Sequence, residues 1–84
     1  MTIWIANYEG NVIRIENSWF DTERLFVNNK LQDERISLLY SNLTGHLISK
    51  NGEKLPIKVF LGGYFTLRCW LFVNDEKVEV IQTK

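Results

Sequence analysis

The stretch that decides the fold is GHLISKNGEKLPIKVFLGGYFTLRCWLFVNDEKVEVIQ, residues 45–82. Apolar and polar side chains alternate through most of it, and a period of two residues is typical of strands that bury one face. Turn-forming pairs interrupt the alternation at Asn51-Gly52, Gly62-Gly63 and Asn74-Asp75. Asparagine, aspartate and glycine tolerate the positive φ that two-residue hairpin turns require. The stretch therefore predicts a four-stranded antiparallel sheet.

The turns also predict which side chains face each other. Two-residue turns at the first and third sites give these opposed pairs: Ile48 with Leu55, His46 with Ile57, Leu71 with Val78, and Cys69 with Val80. At Gly62-Gly63 a slip of one residue would turn every side chain over, so the apolar pattern selects a three-residue loop that ends at Tyr64. That loop pairs Leu61 with Phe65, Val59 with Leu67, and Ile57 with Cys69. It also sets Lys58 beside Arg68, a like-charge pair that repels slightly.

The predicted sheet has an apolar face, which we expect to form the core. Its members are Ile48, Leu55, Ile57, Val59, Leu61, Phe65, Leu67, Cys69, Leu71, Val73, Val78 and Val80. The reverse face carries Leu47, Pro56, Lys58, Phe60, Thr66, Arg68, Trp70, Phe72, Lys77, Glu79 and Ile81. A solvated face is mostly polar, yet large apolar side chains recur on this one. Either the N-terminal strands cover it as a second layer, or it is a contact surface.

The N-terminal half has the same β-branched and aromatic character but a less definite register. Short strands are predicted at residues 3–8, 12–16 and 24–27. The turn at residues 9–11 allows two registers of the first hairpin. One register turns Ile3 and Ile5 inward, and the other turns Trp4 and Tyr8 inward. The sequence leaves both open.

Residues 33–43 are ambiguous between a strand and a short helix. Asp33 can serve as an N-cap, and apolar side chains at helical spacing follow it at Ile36, Leu39, Tyr40 and Leu43. In either case the chain, residues 1–84, is predicted to be a single small all-β domain. We expect an antiparallel β-sandwich or partly open barrel of about seven or eight short strands in meander order.

Composition argues against several classes of function. The chain has 84 residues, with ten basic and ten acidic side chains, one cysteine and one histidine. With no net charge, no field draws it to nucleic acid or anionic lipid. One cysteine and one histidine are too few for a common zinc site, and the usual phosphate-binding and hydrolase motifs do not occur. We therefore expect a protein that is not an enzyme and uses no cofactor, metal or nucleic acid.

The same composition bears on location. No apolar run approaches the ~18 residues of a membrane span, and no basic-then-apolar leader opens the sequence. We therefore expect a cytoplasmic protein that does not contact membranes. Cys69 alternates with Leu67 and Leu71, so it is expected to be an inert buried thiol in a reducing compartment. His46 is expected at the rim of the apolar face as a neutral, hydrogen-bonded side chain, because the pattern fixes no nucleophile or carboxylate beside it.

The candidate partner-binding residues share the reverse face of the predicted sheet and are Phe60, Arg68, Trp70 and Phe72. Tryptophan and arginine are enriched at the hot spots of protein interfaces. The first functional hypothesis is therefore a non-catalytic module that binds a protein partner or a second copy of itself.

The alternative hypothesis is a small-ligand module, for carbohydrate, that uses the surface aromatic residues Trp19, Phe20 and Tyr64. Two adjacent aromatic side chains cannot both point inward from a regular strand, so one of Trp19 and Phe20 is expected at the surface, where it can stack on a sugar ring. Nucleic-acid binding by stacking is disfavoured, because stacking residues normally lie in a basic groove.

Part of the sequence is echoed within the chain. LFVNN at residues 25–29 resembles LFVND at residues 71–75, and each is followed by a lysine and an apolar residue. Two hairpins of similar chemistry can converge on similar strings, and a duplication can produce the same echo. The sequence leaves both explanations open.

Two longer stretches resemble one family. Residues 12–17, VIRIEN, followed by residues 24–30, RLFVNNK, are similar to the opening of the repeat in the Fas apoptotic inhibitory molecule family, and residues 57–80 are similar to the repeat's end. The chain has Asn-Asn and Asn-Asp where the family tends to have Asp-Gly or Asn-Gly, and it is long enough for only one of the family's two repeats. The resemblance implies a compact non-enzymatic β-sandwich that acts through protein contacts.

Overall fold

A computed structural model describes residues 1–18, 22–36, 40–63 and 67–84 of the chain. These residues form strands and no helix, which confirms the all-β prediction. The strands are β1 (Thr2–Tyr8), β2 (Asn11–Asn17), β3 (Thr22–Val27), β4 (Lys30–Ile36), β5 (Tyr40–Ile48), β6 (Lys54–Gly62), β7 (Arg68–Val73), β8 (Glu76–Val78) and β9 (Ile81–Gln82).

The strands form two antiparallel sheets that pack face to face. The order in the first sheet is β4-β3-β2-β1-β9, and the order in the second sheet is β5-β6-β7-β8. Each sheet is thus a meander of four consecutive strands, and β9 crosses back from the second sheet to pair with β1. The two sheets do not close into a barrel, so of the two predicted architectures the sandwich is the one observed. The short β9 is an addition to the predicted strand count.

The core lies between the inner faces of the two sheets. Period-two alternation supplies it, because successive side chains of a strand point to opposite faces. The first sheet contributes Trp4, Ala6, Ile13, Ile15, Leu25 and Val27, and the second contributes Leu43, Leu47, Leu55, Ile57, Val59, Leu61, Leu71 and Val73. Each fully buried aliphatic side chain stabilises the fold by about 1.5–3 kcal/mol relative to an exposed one.

The first hairpin resolves the register that the sequence left open. Glu9 and Gly10 have φ values of 46° and 79°, so they form a two-residue turn with positive φ at both positions. Tyr8 pairs with Asn11 across this turn, and Trp4 and Ala6 consequently face the core. The register with Trp4 inward is therefore correct.

The segment between residues 33 and 43 is strand wherever the structure describes it. Asp33 lies in β4 and Leu43 lies in β5. A helix would have turned Ile36 toward the core with Leu43, but Ile36 is 80% exposed while Leu43 is fully buried. The helical interpretation is thus wrong for these residues, and Leu39 lies outside the described part of the chain.

The predicted register at Asn51-Gly52 is wrong by one residue. The loop runs from Ser49 to Glu53 and is closed by the Ser49 N–H, which donates to the Glu53 carbonyl at 2.8 Å, and by the Glu53 N–H, which donates to Ser49 Oγ at 3.1 Å. This longer loop turns β5 over. Leu47 therefore faces the core, whereas Ile48 is 52% exposed and His46 lies on the exposed face.

The predicted loop at Gly62-Gly63 is too short. Leu61 pairs with Cys69 instead of Phe65, so the pairing is displaced by four residues. An even displacement keeps every side chain on its predicted face. Lys58 consequently lies opposite Phe72, and its predicted repulsion with Arg68 does not arise. Phe65 falls outside the described residues.

The third hairpin confirms the prediction at its turn but not at its end. Asn74 and Asp75 have φ values of 52° and 65°, and Leu71 pairs with Val78 as expected. The ladder then stops, so the predicted pair of Cys69 with Val80 is wrong. Val80 packs at the margin of the core, and the chain continues into β9 beside β1.

Asn11 joins the turns of the first sheet to the second sheet. It is buried, and its Nδ2 donates to the Ile48 carbonyl at 2.9 Å and to the Tyr8 carbonyl at 3.2 Å. Its Oδ1 accepts a hydrogen bond from Asn28 Nδ2 at 2.9 Å. A single amide thus satisfies polar groups from three segments at one end of the sandwich.

We predict that Asn11→Ala lowers the free energy of unfolding by about 2 kcal/mol, because it leaves buried polar groups without partners. Urea denaturation measures this loss. Asn7→Ala is the matched control, since Asn7 is exposed on β1, and it should change stability by less than about 0.5 kcal/mol. Equal effects of the two substitutions would contradict the assigned role of Asn11.

At Gly45, β5 approaches the first sheet closely. A Cβ at this position would lie 3.0 Å from Gln32 Cβ and 3.1 Å from Leu25 Cδ2. We predict that Gly45→Ala destabilises the fold by about 1–3 kcal/mol through overpacking. Thr44→Ala, at the exposed neighbouring position, is the control in the same denaturation experiment. If Gly45→Ala were as stable as the wild type, the added methyl group would be accommodated without loss of stability, which would contradict the prediction.

Candidate functional site

The structure places the four candidate partner-binding residues on the outer face of the second sheet. Phe60 on β6 pairs with Trp70 on β7, Lys58 pairs with Phe72, and Gly62 pairs with Arg68. Phe60 is 42% exposed and Trp70 is 38% exposed. Phe60, Arg68, Trp70 and Phe72 together are called the aromatic face below.

The aromatic side chains support one another. The rings of Phe60 and Phe72 have centroids 5.9 Å apart and an interplanar angle of 80°, which is an edge-to-face arrangement. Such a pair is worth about 0.5–1.5 kcal/mol beyond the area it buries. The pairing of β6 with β7 and this ring contact therefore fix Phe60 and Phe72 relative to each other.

The first sheet does not cover the aromatic face. It packs against the opposite side of the second sheet, where Ile57, Val59 and Leu71 are buried. The alternative in which the N-terminal strands cover this face as a second layer is therefore wrong. Among the described residues, the aromatic face points away from the sandwich.

The outer face of the first sheet offers a direct comparison, because β3 ends in a turn like that of β7. Asn28 and Asn29 have φ values of 51° and 67°, close to those of the β7 turn. Beside that turn the Arg14 guanidinium lies 4.2 Å from the centroid of Phe26, and Arg14 Nη1 donates to Asn29 Oδ1 at 2.7 Å. The partly buried ring of Phe26 on the first sheet is therefore capped by a cation.

The equivalent cation on the second sheet does not cap its ring. Lys58 occupies the position opposite Phe72 that Arg14 occupies opposite Phe26. Its Nζ lies 3.4 Å from Asp75 Oδ1, in the turn. Phe72 packs on Phe60 instead, so the two sheets share a hairpin design but present different outer surfaces.

Cations surround the aromatic face although the chain has no net charge. Lys58 pairs with Asp75, and Lys77 lies 3.8 Å from Glu79. Arg68 is exposed and makes no ion pair with any described residue. Among the described residues, Arg68 is therefore an unpaired guanidinium on the same face as the exposed Trp70.

A cleft opens where β7 begins. It has a volume of about 360 Å³ and is lined by Trp4, Val80 and Gln82 together with Leu67, Arg68, Cys69 and Trp70. Sequence reasoning missed this cleft. The signal was the adjacent apolar pair Val80-Ile81, which breaks the alternation at the point where the chain crosses between the sheets.

The other predicted site residues fall into two groups. Trp19, Phe20 and Tyr64 lie outside the described residues, so the carbohydrate site stays a prediction. His46 lies on the exposed face of β5, and its backbone N–H donates to Gln32 Oε1 at 3.3 Å. Among the described residues, no group of three His, Cys, Asp or Glu side chains is close enough to hold a metal ion.

Comparison with known proteins found no matching family model, no matching curated protein and no matching solved structure. The resemblance to the Fas apoptotic inhibitory molecule repeat therefore stays a prediction. In the described residues there is also no helix that is long and apolar enough to cross a membrane. What the chain does must be argued from its own surfaces.

Cys69 faces the cleft as a protonated thiol. Desolvation by burial raises the pKa of Cys69 to about 12, so the nucleophilic thiolate is scarce at neutral pH. The unfolded chain ionises this thiol near pH 8.5. Because the pKa is raised on folding, the thiol's contribution to stability is complete below about pH 8.5 and is lost as pH rises toward 12.

We predict that the stability difference between the wild type and Cys69→Ala shrinks as pH rises from about 8 to about 11. Urea denaturation of both proteins at each pH measures it, and the variant corrects for the titration of lysine and tyrosine side chains. Parallel pH profiles for the two proteins would contradict the burial of the thiol.

Proposed function

We propose that this chain is a non-catalytic module that binds a protein partner through the aromatic face. One observation carries the proposal: Phe60 and Trp70 lie side by side on paired strands with about two fifths of each side chain exposed. Exposed large aromatic groups are costly to leave in water, and contiguous ones usually mark a contact surface.

The composition of the face supports a protein partner. Trp70 and Arg68 belong to the residue types that dominate interface energetics, and Phe60 and Phe72 provide the surrounding apolar area. Because these side chains stand on a sheet rather than on a loop, the backbone beneath them is already ordered. Binding therefore costs less conformational entropy. A second copy of the chain is one such partner, and the family resemblance described above implies the same mode of action.

The surface of the first sheet supplies the contrast that makes the proposal specific. Its ring, Phe26, is capped by Arg14, and Arg24 pairs with Glu34 nearby. Those charges are already satisfied within the sheet, as expected for a surface that stays in water. Among the described residues, Arg68 has no ion pair and no cation caps Phe60, Trp70 or Phe72, which supports an external partner for Arg68 and Trp70.

We predict that Trp70→Ser and Phe60→Ser each weaken partner binding by about thirtyfold, since truncating a hot-spot residue costs about 2 kcal/mol. Val12→Ser is the matched control, because Val12 is 43% exposed on the outer face of the first sheet. Sedimentation velocity over a concentration series measures self-association. Quantitative capture from a lysate of the encoding organism measures association with other proteins.

Circular dichroism and thermal unfolding establish that each variant is folded before its binding is compared. The proposal predicts that Val12→Ser behaves as the wild type in whichever assay shows association. It fails when no association of the folded wild type, with itself or with another protein, is sensitive to Trp70→Ser.

A further inference from the structure

The second side of β7 is only half paired. β6 pairs with β7 along its whole length, from Arg68 to Val73, whereas β8 pairs with it only from Leu71 to Val73. Within the described part of the chain, residues 68–70 therefore have a neighbouring strand on one side only. The chain causes this opening by leaving the second sheet after Val78.

The hydrogen-bonding direction of the open residues follows from the ladder. Asn74 N–H donates to the Pro56 carbonyl at 2.9 Å, so the backbone groups of Asn74 face β6. Backbone groups alternate in direction along an antiparallel strand. Those of Phe72 and Trp70 consequently also face β6, and the N–H and C=O of Cys69 face the open side.

At the opposite edge of the second sheet, in contrast, side chains bond to backbone donors of the edge strand. On β5, Thr44 N–H donates to Asp33 Oδ2 at 2.8 Å, and His46 N–H donates to Gln32 Oε1 at 3.3 Å. Side chains of β4 thus occupy donors that an added strand would need. Proteins commonly blunt exposed sheet edges, and no described side chain does so beside Cys69.

The open edge also borders groups that can recognise side chains. Cys69 borders the cleft, in which Trp4, Leu67 and Val80 supply apolar lining and Arg68 and Gln82 supply polar lining. Arg68 and Trp70 also belong to the aromatic face. Main-chain groups, a partly apolar cleft, a cation and an aromatic ring therefore meet within three residues of one strand.

We propose that an extended segment of a partner protein adds to β7 as a short strand, in line with β8 and opposite residues 68–70. Main-chain hydrogen bonds to Cys69 provide part of the affinity, and alternate side chains provide specificity. The side chain opposite Cys69 enters the cleft and is apolar. The residue opposite Arg68 is acidic, and the residue opposite Trp70 is apolar.

This inference rests on the proposed function, because Arg68 and Trp70 serve both, and it adds the class of partner and the mode of binding. A second copy of β7 does not fit the same edge. Antiparallel pairing of two copies about Cys69 would place Leu67 of one protomer opposite Leu71 of its partner, and β8 already occupies that position through Val78.

The test uses two peptides that represent the two strand directions, acetyl-Leu-Val-Glu-Thr-Thr and Thr-Thr-Glu-Val-Leu-amide, titrated into ¹⁵N-labelled protein. Each ends at the leucine opposite Trp70, because β8 occupies the next position, opposite Leu71. We expect saturable shifts of the Cys69 amide for one of them, and slower hydrogen exchange at that amide. Replacing the peptide's glutamate with lysine should weaken binding about fivefold, and N-methylation of its valine in the antiparallel peptide should weaken it at least about tenfold.

Protein variants test the same contact from the other side. Cys69→Pro removes the outward N–H, and proline is tolerated where the N–H of an edge strand faces solvent. We expect it to abolish peptide binding, while Cys69→Ala, which keeps the N–H, retains it. Should Cys69→Pro fail to fold, the N-methylated peptide with wild-type protein decides the same question.

Two results would overturn edge addition. One is peptide binding that shifts Phe60 and Phe72 but leaves exchange at the Cys69 amide unchanged, in which case the aromatic face still serves as the contact surface. The other is the absence of saturable binding by either peptide. Loss of the sensitivity to Trp70→Ser described above would remove the proposed function itself, so the two failures are distinguishable.

Discussion

Three turns with left-handed backbone fix the register on which the rest of the structure depends. They are Glu9-Gly10, Asn28-Asn29 and Asn74-Asp75, and every residue in them has positive φ. Such φ values are unfavourable for most side chains, and they match the right-handed twist of paired strands only in two-residue hairpins. Each turn therefore sets the alignment of the residues beside it, and between β3 and β4 the register then shifts by one residue at Leu25 and Phe26. That alignment decides which side chains enter the core and which remain on the outer faces.

The two edges of the second sheet differ, and the candidate binding surface lies at the more open one. Along β4 and β5, Asp33 and Gln32 bond to backbone donors, and Gly45 allows the close approach of the sheets. At the other margin, the chain passes from one sheet to the other, and no described strand pairs with the second side of residues 68–70 of β7. The aromatic face adjoins this margin, so the exposed rings and the unpaired backbone form one continuous surface.

The sequence predicts the parts of this fold that depend on alternation and turn chemistry. Buried Ile57, Val59 and Leu71 and the outward Phe60, Trp70 and Phe72 follow from period two. The length of a loop does not follow from the sequence in the same way. Asn51-Gly52 predicts a turn, but it is compatible with the longer loop that Ser49 closes. The sequence also did not predict the crossing between the sheets. Val80 is apolar, and its preference for a buried position is met equally by pairing with Cys69 and by its actual place beside the core. The edge at Cys69 depends on that crossing.

The connection between β6 and β7 has a consequence for how this chain can vary. Its observed length differs from the expected one by an even number of residues, and the same side chains stay inside. Insertions or deletions of two residues there slide β7 along β6 without exchanging its surfaces, whereas a change of one would bury Trp70 and expose Leu71. Changes in the length of this connection are therefore tolerated only in steps of two residues. Such changes move the aromatic face along the sheet but keep it on the outer side.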